Sequence, residues 1–285
     1  MIFLLSFAAV ADTGTADLLV LSSPGFPGVM MLGPAGRAVA SGPEAVTGNP
    51  ALIIPGFTAA GGRWNLQTTG VSAAGGFRAG GSLLIGSGIS YLGRGGIIRR
   101  DDAGQVTGEY SYDTGTAFAG ASYSLTQWLR AGLAAGVAWE NIDQQSGTGV
   151  TASAGVAAEI GSAGTAGLAV TGLGSAPSWN GVSKAMPVEI SAGLQWELGE
   201  YFNCFGGGSF GFSTSSSLGA GLCFCQSQMQ LTAGYGYTPD EDELTGFFAG
   251  LQYTYVSGGT YIIEAAVAQR DQLEWPVMAG ISIRL

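Results

Sequence analysis

The residues whose types and spacing bear on chemistry are three thiols, a run of carboxylates and one cluster of opposite charges. Cys204, Cys223 and Cys225 lie close together in sequence. If 200–212 and 215–225 form a hairpin, Cys204 falls nearly opposite the other two, and a disulfide from Cys204 to Cys223 or Cys225 is sterically feasible. The alternative is that each thiol serves as a small apolar side chain on one face of a strand. Three thiolates without histidine make a poor metal site, so no metal is expected. Asp240, Glu241, Asp242 and Glu243 form a run of four carboxylates. Their oxygens suit a hard cation or a basic partner, and equally a solvated loop apex. Arg99, Arg100, Asp101 and Asp102 are either a self-paired turn or a docking loop. Exposed pairs contribute only about 0–1 kcal/mol, so stability alone does not require the cluster. Gly206-x-Gly208-x-x-Gly211 matches a dinucleotide fingerprint by letter. It precedes a Ser-rich turn, not the helix whose N-terminus a pyrophosphate needs.

What is missing excludes more. The chain has no histidine, which removes imidazole acid–base catalysis, Ser-His triads and the commonest zinc sites. No nucleophile and base cluster in its place, so neither an enzyme nor a cofactor is expected. A net charge of −10 with ten basic residues argues against nucleic acid, whose binding needs clustered Lys and Arg.

The elements that would position these groups read as strands. In 187–199, PVEISAGLQWELG, Val188, Ile190, Ala192, Leu194, Trp196 and Leu198 alternate with Glu189, Ser191, Gly193, Gln195 and Glu197. A period of two is a strand. The same two-faced pattern recurs in 129–140, 150–160, 228–238 and 277–285. It fits a soluble sandwich with an apolar core, or a membrane barrel with lipid outside and a polar lumen. Composition favours the barrel. Of 285 residues 46% are hydrophobic and 11% charged, with a mean hydropathy of +0.31. That charged share is about half the usual one and would cover a water-facing surface poorly. Apart from the extreme N-terminus, no apolar run approaches the roughly 18–20 residues of a spanning helix.

The connections sort into two classes that take turns along the chain. Tight ones fall near 125–128, 161–164, 198–200, 225–227 and 257–259, and longer ones near 93–114, 141–149, 175–187, 212–216, 238–244 and 270–276. The two ends of an outer-membrane barrel demand this alternation, and closure removes edges that lipid cannot satisfy. Trp64, Trp128, Trp139, Trp196 and Trp275 fall near strand ends, where interfacial girdles belong. The expectation is an all-β chain: a closed antiparallel transmembrane barrel of 12–14 strands over 62–285, in the outer membrane of a bacterium and surrounded by its lipid. Glu189, Gln195 and Glu197 face its lumen, and Trp196 faces lipid. The pattern resolves about thirteen strands, whereas single-chain barrels have an even number. The miscount lies in 62–92 or in 17–22.

Upstream the character changes. Residues 1–11, in MIFLLSFAAVADTG, resemble a secretory signal, with Ala9-Val10-Ala11 as the small-x-small pattern, although the first basic residue is Arg37. Residues 12–61 form an N-terminal plug or periplasmic segment. Within 24–61 lie Pro24, Pro27, Pro34, Pro43, Pro50 and Pro55, six of ten prolines, and proline cannot serve a central strand. An irregular plug suits a lumen that strand side chains alone leave open. In that lumen Arg37 needs an acidic partner, with Glu189, Glu197 and Glu159 as candidates.

GPAGRAVASGPEAVTGNPALI, residues 33–53, resembles the N-terminal signature of the PorV/PorQ proteins within the FadL-like outer-membrane superfamily. Gly36, Arg37, Asn49, Pro50, Ala51 and Leu52 carry the match. The stretch between the two elements is shorter than the family's, lacks its acidic pair and has no Gly after Ala51. ISYLGRGGIIRRDDAGQVTGEYSYDTG (89–115) is similar to the family's first long loop, and 128–161 to the strand pair that follows. The resemblance implies fourteen strands, an N-terminal plug and one of two roles. The first is a non-enzymatic binding and shuttle component of a type IX secretion apparatus. It would take secreted proteins with C-terminal sorting domains, and other secretion components, on the loops at Arg99–Asp102 and Asp240–Glu243. The second, as in related FadL-like barrels, is transport of hydrophobic small molecules.

Overall fold

The computed structural model describes residues 18–64, 68–101, 103–143, 145–176, 178–179, 182–183, 185–212, 214–239, 246–269 and 275–285. Fourteen antiparallel strands close into one barrel. They are β1 (Gly56–Arg63), β2 (Thr69–Gly80), β3 (Leu83–Arg100), β4 (Val106–Ser124), β5 (Leu129–Ile142), β6 (Gln145–Ile160) and β7 (Gly164–Ser175). After a separate small hairpin of β8 (Ser178–Trp179) and β9 (Val182–Ser183), the wall continues with β10 (Glu189–Glu197), β11 (Phe202–Gly211) and β12 (Ser217–Gln226). It ends with β13 (Met229–Tyr237), β14 (Gly246–Val256), β15 (Thr260–Ala268) and β16 (Val277–Arg284). β16 pairs with β1, Arg284 opposite Gly56 and Val277 opposite Arg63. Across this seam the Ser282 hydroxyl donates to Thr58 Oγ1 at 2.8 Å. Among the described residues no helix is long and apolar enough to cross a membrane; the strands do so.

Alternation decides which face is which. On β10 Ser191 is fully buried toward the interior, while Leu194 is 42% exposed outside. Val71, Leu133, Leu222, Leu231 and Ile263 are likewise exposed on the exterior. Closure thus turns the apolar rows outward and the small and polar rows inward, the inverse of a soluble core.

Three expectations need correction. The barrel starts at Gly56, not near residue 62, and the strand hidden from the count is β1. Its GFTAAGGR sequence has too few large side chains for a period, although Phe57 points out and Thr58 in. Residues Leu19–Ser22 form a helical turn and not a strand. The longer connections expected at 93–114 and 141–149 are mostly strand. β3 and β4 stay paired past Arg94–Tyr112 to Arg100–Val106, and β5 and β6 pair out to Ile142–Gln145. Beyond the bilayer both faces of such a hairpin meet water, so the period loses its apolar half and reads as loop. The tight turns stand where expected, at one end of the barrel, with a further one at Gly81–Ser82.

The segment from Leu18 to Ile54 lies against the inner wall. It folds as α1 (Leu19–Ser22), α2 (Pro27–Met30) and α3 (Gly36–Val39), with 3-10 turns at Gly33–Ala35, Pro43–Thr47 and Pro50–Leu52. Pro27, Pro34, Pro43 and Pro50 each occupy the first turn of such an element, where the missing N–H has no cost. α2 packs on β14 to β16, α3 on β7 and β10, Gly33–Ala35 on β10 to β13, Pro43–Thr47 on β1 to β4, and Pro50–Leu52 on β4 to β6. Phe26, Val46, Leu52 and Ile53 are fully buried in this contact. Two inward glycines permit it. A Cβ on Gly167 would lie 1.9 Å from Ala38 O, and one on Gly132 would lie 2.3 Å from the Pro50 carbonyl carbon.

Candidate functional site

The residues singled out in the N-terminal signature hold this segment together and to the wall. Asn49, 1% exposed, accepts from the Ala51 amide through Oδ1 at 3.1 Å. Its Nδ2 donates to Ala38 O at 2.9 Å and to Val156 O on β6 at 3.1 Å. One amide therefore joins α3, the Pro50–Leu52 turn and the barrel. Gly36 lies where a Cβ would meet Val29 O at 2.1 Å. Ser122 on β4 donates to Ala51 O at 3.0 Å. Arg37 Nη2 donates to Leu21 O at 2.6 Å and Ser23 O at 3.0 Å, and its Nε lies 3.7 Å from Glu189 Oε1. Of the candidate acidic partners the structure selects Glu189. Glu159 instead faces Arg130 at 3.8 Å, and Glu197 lies at the tight-turn end.

A cavity of about 110 Å³ adjoins this ion pair. The segment contributes Pro24, Val29, Met30 and Arg37, and the wall Glu189, Ser209, Ser217 and Phe248, with Thr214 between β11 and β12. The wall residues come from the ends of β10, β11, β12, β14 and β15 that carry the longer connections. Ser209 and Ser217 bond each other at 3.0 Å. Phe248, 4% exposed, stacks obliquely on Phe205 at 5.9 Å. The site is an apolar chamber with a polar rim. Sequence reasoning found Arg37 and Glu189 but missed the rest. Single Ser, Thr and Phe residues on separate strands show no common spacing until closure brings them together.

A second acidic group sits deeper. Glu44 is 5% exposed, and burial pushes its carboxyl above the ordinary range, opposed by its own backbone amide and by Arg284. It shares the surroundings of Gly28 with Glu264 of β15, whose carboxyl oxygen would lie 3.3 Å from a Cβ there, against 3.4 Å for that of Glu44.

The remaining candidate residues separate. Cys204, Cys223 and Cys225 are all free, which corrects the disulfide expectation. Cys204 pairs with the outward Leu222, whereas Cys223 pairs with Asn203 and is buried. Cys225, two residues on, shares that inner face, where Asn203 Nδ2 reaches its sulfur at 3.8 Å. Strand period therefore puts Cys204 on the opposite side of the sheet from either partner. Arg99 pairs with Asp143 of the neighbouring hairpin and its guanidinium lies 5.8 Å over the Tyr110 ring. Arg100 donates to Gly104 O at 2.9 Å, and Asp101 Oδ1 accepts from Ala103 N and Gln105 N at 3.0 and 2.8 Å. Arg100 and Asp101 thus close their own turn through backbone groups, while Arg99 ties it to the neighbouring hairpin. Asp102, the run Asp240, Glu241, Asp242 and Glu243, and the expected signal at 1–11 lie outside the described residues. The glycines of the dinucleotide-like motif lie in β11.

Aromatic rows mark the two edges of the apolar band. Tyr255–Tyr261 and Phe202–Phe224 lie toward the tight-turn end, and Tyr235–Phe247 and Phe210–Phe212 toward the other. Trp128 and Trp275 are each 56% exposed, as expected of girdle residues, whereas Trp64 is buried and belongs to the interior. A closed barrel of even strand number with an apolar exterior between aromatic rows is a bacterial outer-membrane barrel.

No protein-family model and no curated protein matches the chain. Solved structures do match it. The toluene transporter TbuX of Ralstonia pickettii superposes with a TM-score of 0.62 at 14% identity, over 90% of this chain and 97% of that one. The CymD monoaromatic hydrocarbon channel gives 0.67 at 9% identity, over 96% and 99%. A Pseudomonas aeruginosa FadL homologue gives 0.60 at 10%, over 90% and 96%. At these identities the likeness is one of fold: the chain has the architecture of the FadL-like outer-membrane barrels.

Proposed function

We propose that this protein is a FadL-like transporter that passes hydrophobic small molecules across the outer membrane, with the N-terminal segment as its plug. The cavity between that segment and the wall, with Val29, Met30, Pro24 and Phe248 as its apolar lining, carries the reading. It lies inside a lumen at the end with the longer connections, where a solute from outside would enter. Similarity of fold to proteins described as a toluene transporter and a monoaromatic hydrocarbon channel supports it. Transport thus takes precedence over the shuttle role in type IX secretion that the PorV/PorQ resemblance implies. Of the groups meant for cargo, Arg99 is taken by Asp143 of the neighbouring hairpin, and Arg100 and Asp101 bond within their own turn.

The test uses vesicles with a lipopolysaccharide outer leaflet, which slows passive entry of toluene. The reconstituted protein should speed toluene entry, and Ala268→Phe, which puts a ring into the cavity that Ala268 of β15 also lines, should cut that entry by roughly tenfold. Equal entry with filled and open cavities would refute this site. Co-purification of secreted proteins bearing a sorting domain, without toluene entry, would restore the shuttle role.

A further inference from the structure

The cavity also constrains the polar end of its ligand, in an inference that rests on the transport reading above. Arg37 carries no unbalanced charge toward an anion, since Glu189 faces its Nε and the carbonyls Leu21 O and Ser23 O take both donors of its Nη2. Both side chains of that pair are shielded, at 14% and 13% exposure. Glu189 Oε1 is buried and accepts no hydrogen bond among the described residues. The same holds for Thr214 Oγ1, which lines the same cavity. Ser209 and Ser217 bond each other, so of the cavity lining the buried side-chain atoms left without a hydrogen bond among the described residues are Glu189 Oε1 and Thr214 Oγ1. An Arg-paired carboxylate accepts but does not donate, and a buried acceptor without a donor is costly. The volume of about 110 Å³ suits a single ring: an engineered apolar cavity of about 150 Å³ in another protein binds benzene.

We propose that the ligand is an uncharged, single-ring hydrophobic molecule carrying one hydroxyl, an aryl alcohol or a phenol. The hydroxyl donates to Glu189 Oε1 and takes its second bond from Thr214, while the ring lies against Met30, Val29 and Phe248. A carboxylate of the same size would set its charge beside that of Glu189. A bare hydrocarbon would leave the acceptor unpaired.

Equilibrium binding to the detergent-solubilised full chain at pH 7 tests this with three probes of one ring size: benzyl alcohol, toluene and benzoate. Benzyl alcohol should bind at least about tenfold more tightly than benzoate and several-fold more tightly than toluene. Glu189→Gln should lower the alcohol-to-benzoate ratio by roughly tenfold, because Arg37 then carries unbalanced charge. Thr214→Val, which keeps the shape of the side chain and removes its hydroxyl, should weaken benzyl alcohol relative to toluene; it keeps the test open if Glu189→Gln fails to fold. Benzoate or toluene binding as tightly as the alcohol overturns the proposal and leaves transport standing. An unchanged ratio in a folded Glu189→Gln protein overturns the assignment to Glu189. Failure of all three probes to bind overturns both the proposal and the transport site.

Discussion

Asn49 holds three parts of the molecule with one side chain, and its replacement measures that grip. In Asn49→Ala, Ala38 O and Val156 O lose buried donors and the Ala51 amide loses its acceptor. A net loss of roughly 2–4 kcal/mol is expected at about 1–3 kcal/mol for each orphaned group, partly relieved by relaxation. It should appear as earlier protease cleavage of the N-terminal segment, while the barrel keeps its heat-modifiable gel mobility. Glu44 makes a prediction about pH. Burial raises its carboxyl above the unfolded value, so the stability it lends is complete below the ordinary carboxylate range. That stability falls away as pH rises through the raised folded value, because the buried group must then ionise. Docking of the segment should therefore weaken as pH rises above the ordinary carboxylate range, and Glu44→Gln should flatten the dependence. A protease-susceptibility profile against pH reads both. These two residues differ in legibility. Asn49 stood out through its place before Pro50, whereas nothing in the local sequence of Glu44 announces that it will be buried.

At the scale of elements the strand period governs most of what was legible. It located the central strands and assigned Ser191 inward and Leu194 outward. It failed where side chains are too small, as in β1, or where both faces are wet, as in the outer halves of β3 and β4. The register of β11 against β12 makes a direct prediction about the thiols. Alkylation of the unfolded, unreduced protein should count three free cysteines, and electrophoretic mobility should not change on reduction. A shift on reduction would mean a sheet register one residue out. Contact between wall and segment is equally specific. Gly167→Leu forces a side chain into the space of Ala38 O. It should expel the segment, making it protease-sensitive, without loss of the barrel, whose strands keep their own hydrogen bonds.

At the scale of the whole molecule, alternation, few charges and the prolines of 24–61 were enough to require a closed barrel with lipid outside and an irregular segment before it. Those are properties of each stretch by itself: a strand's two faces and a proline's missing N–H are local facts. Tertiary structure alone decided the fourteenth strand, the choice of Glu189 for Arg37, the separation of Cys204 from Cys223, and the chamber beside Phe248. Each depends on the register of closure and on the path of the N-terminal segment through the lumen. Contacts such as Ser282 to Thr58, 224 residues apart, arise from that register and path and leave no periodic trace in the chain.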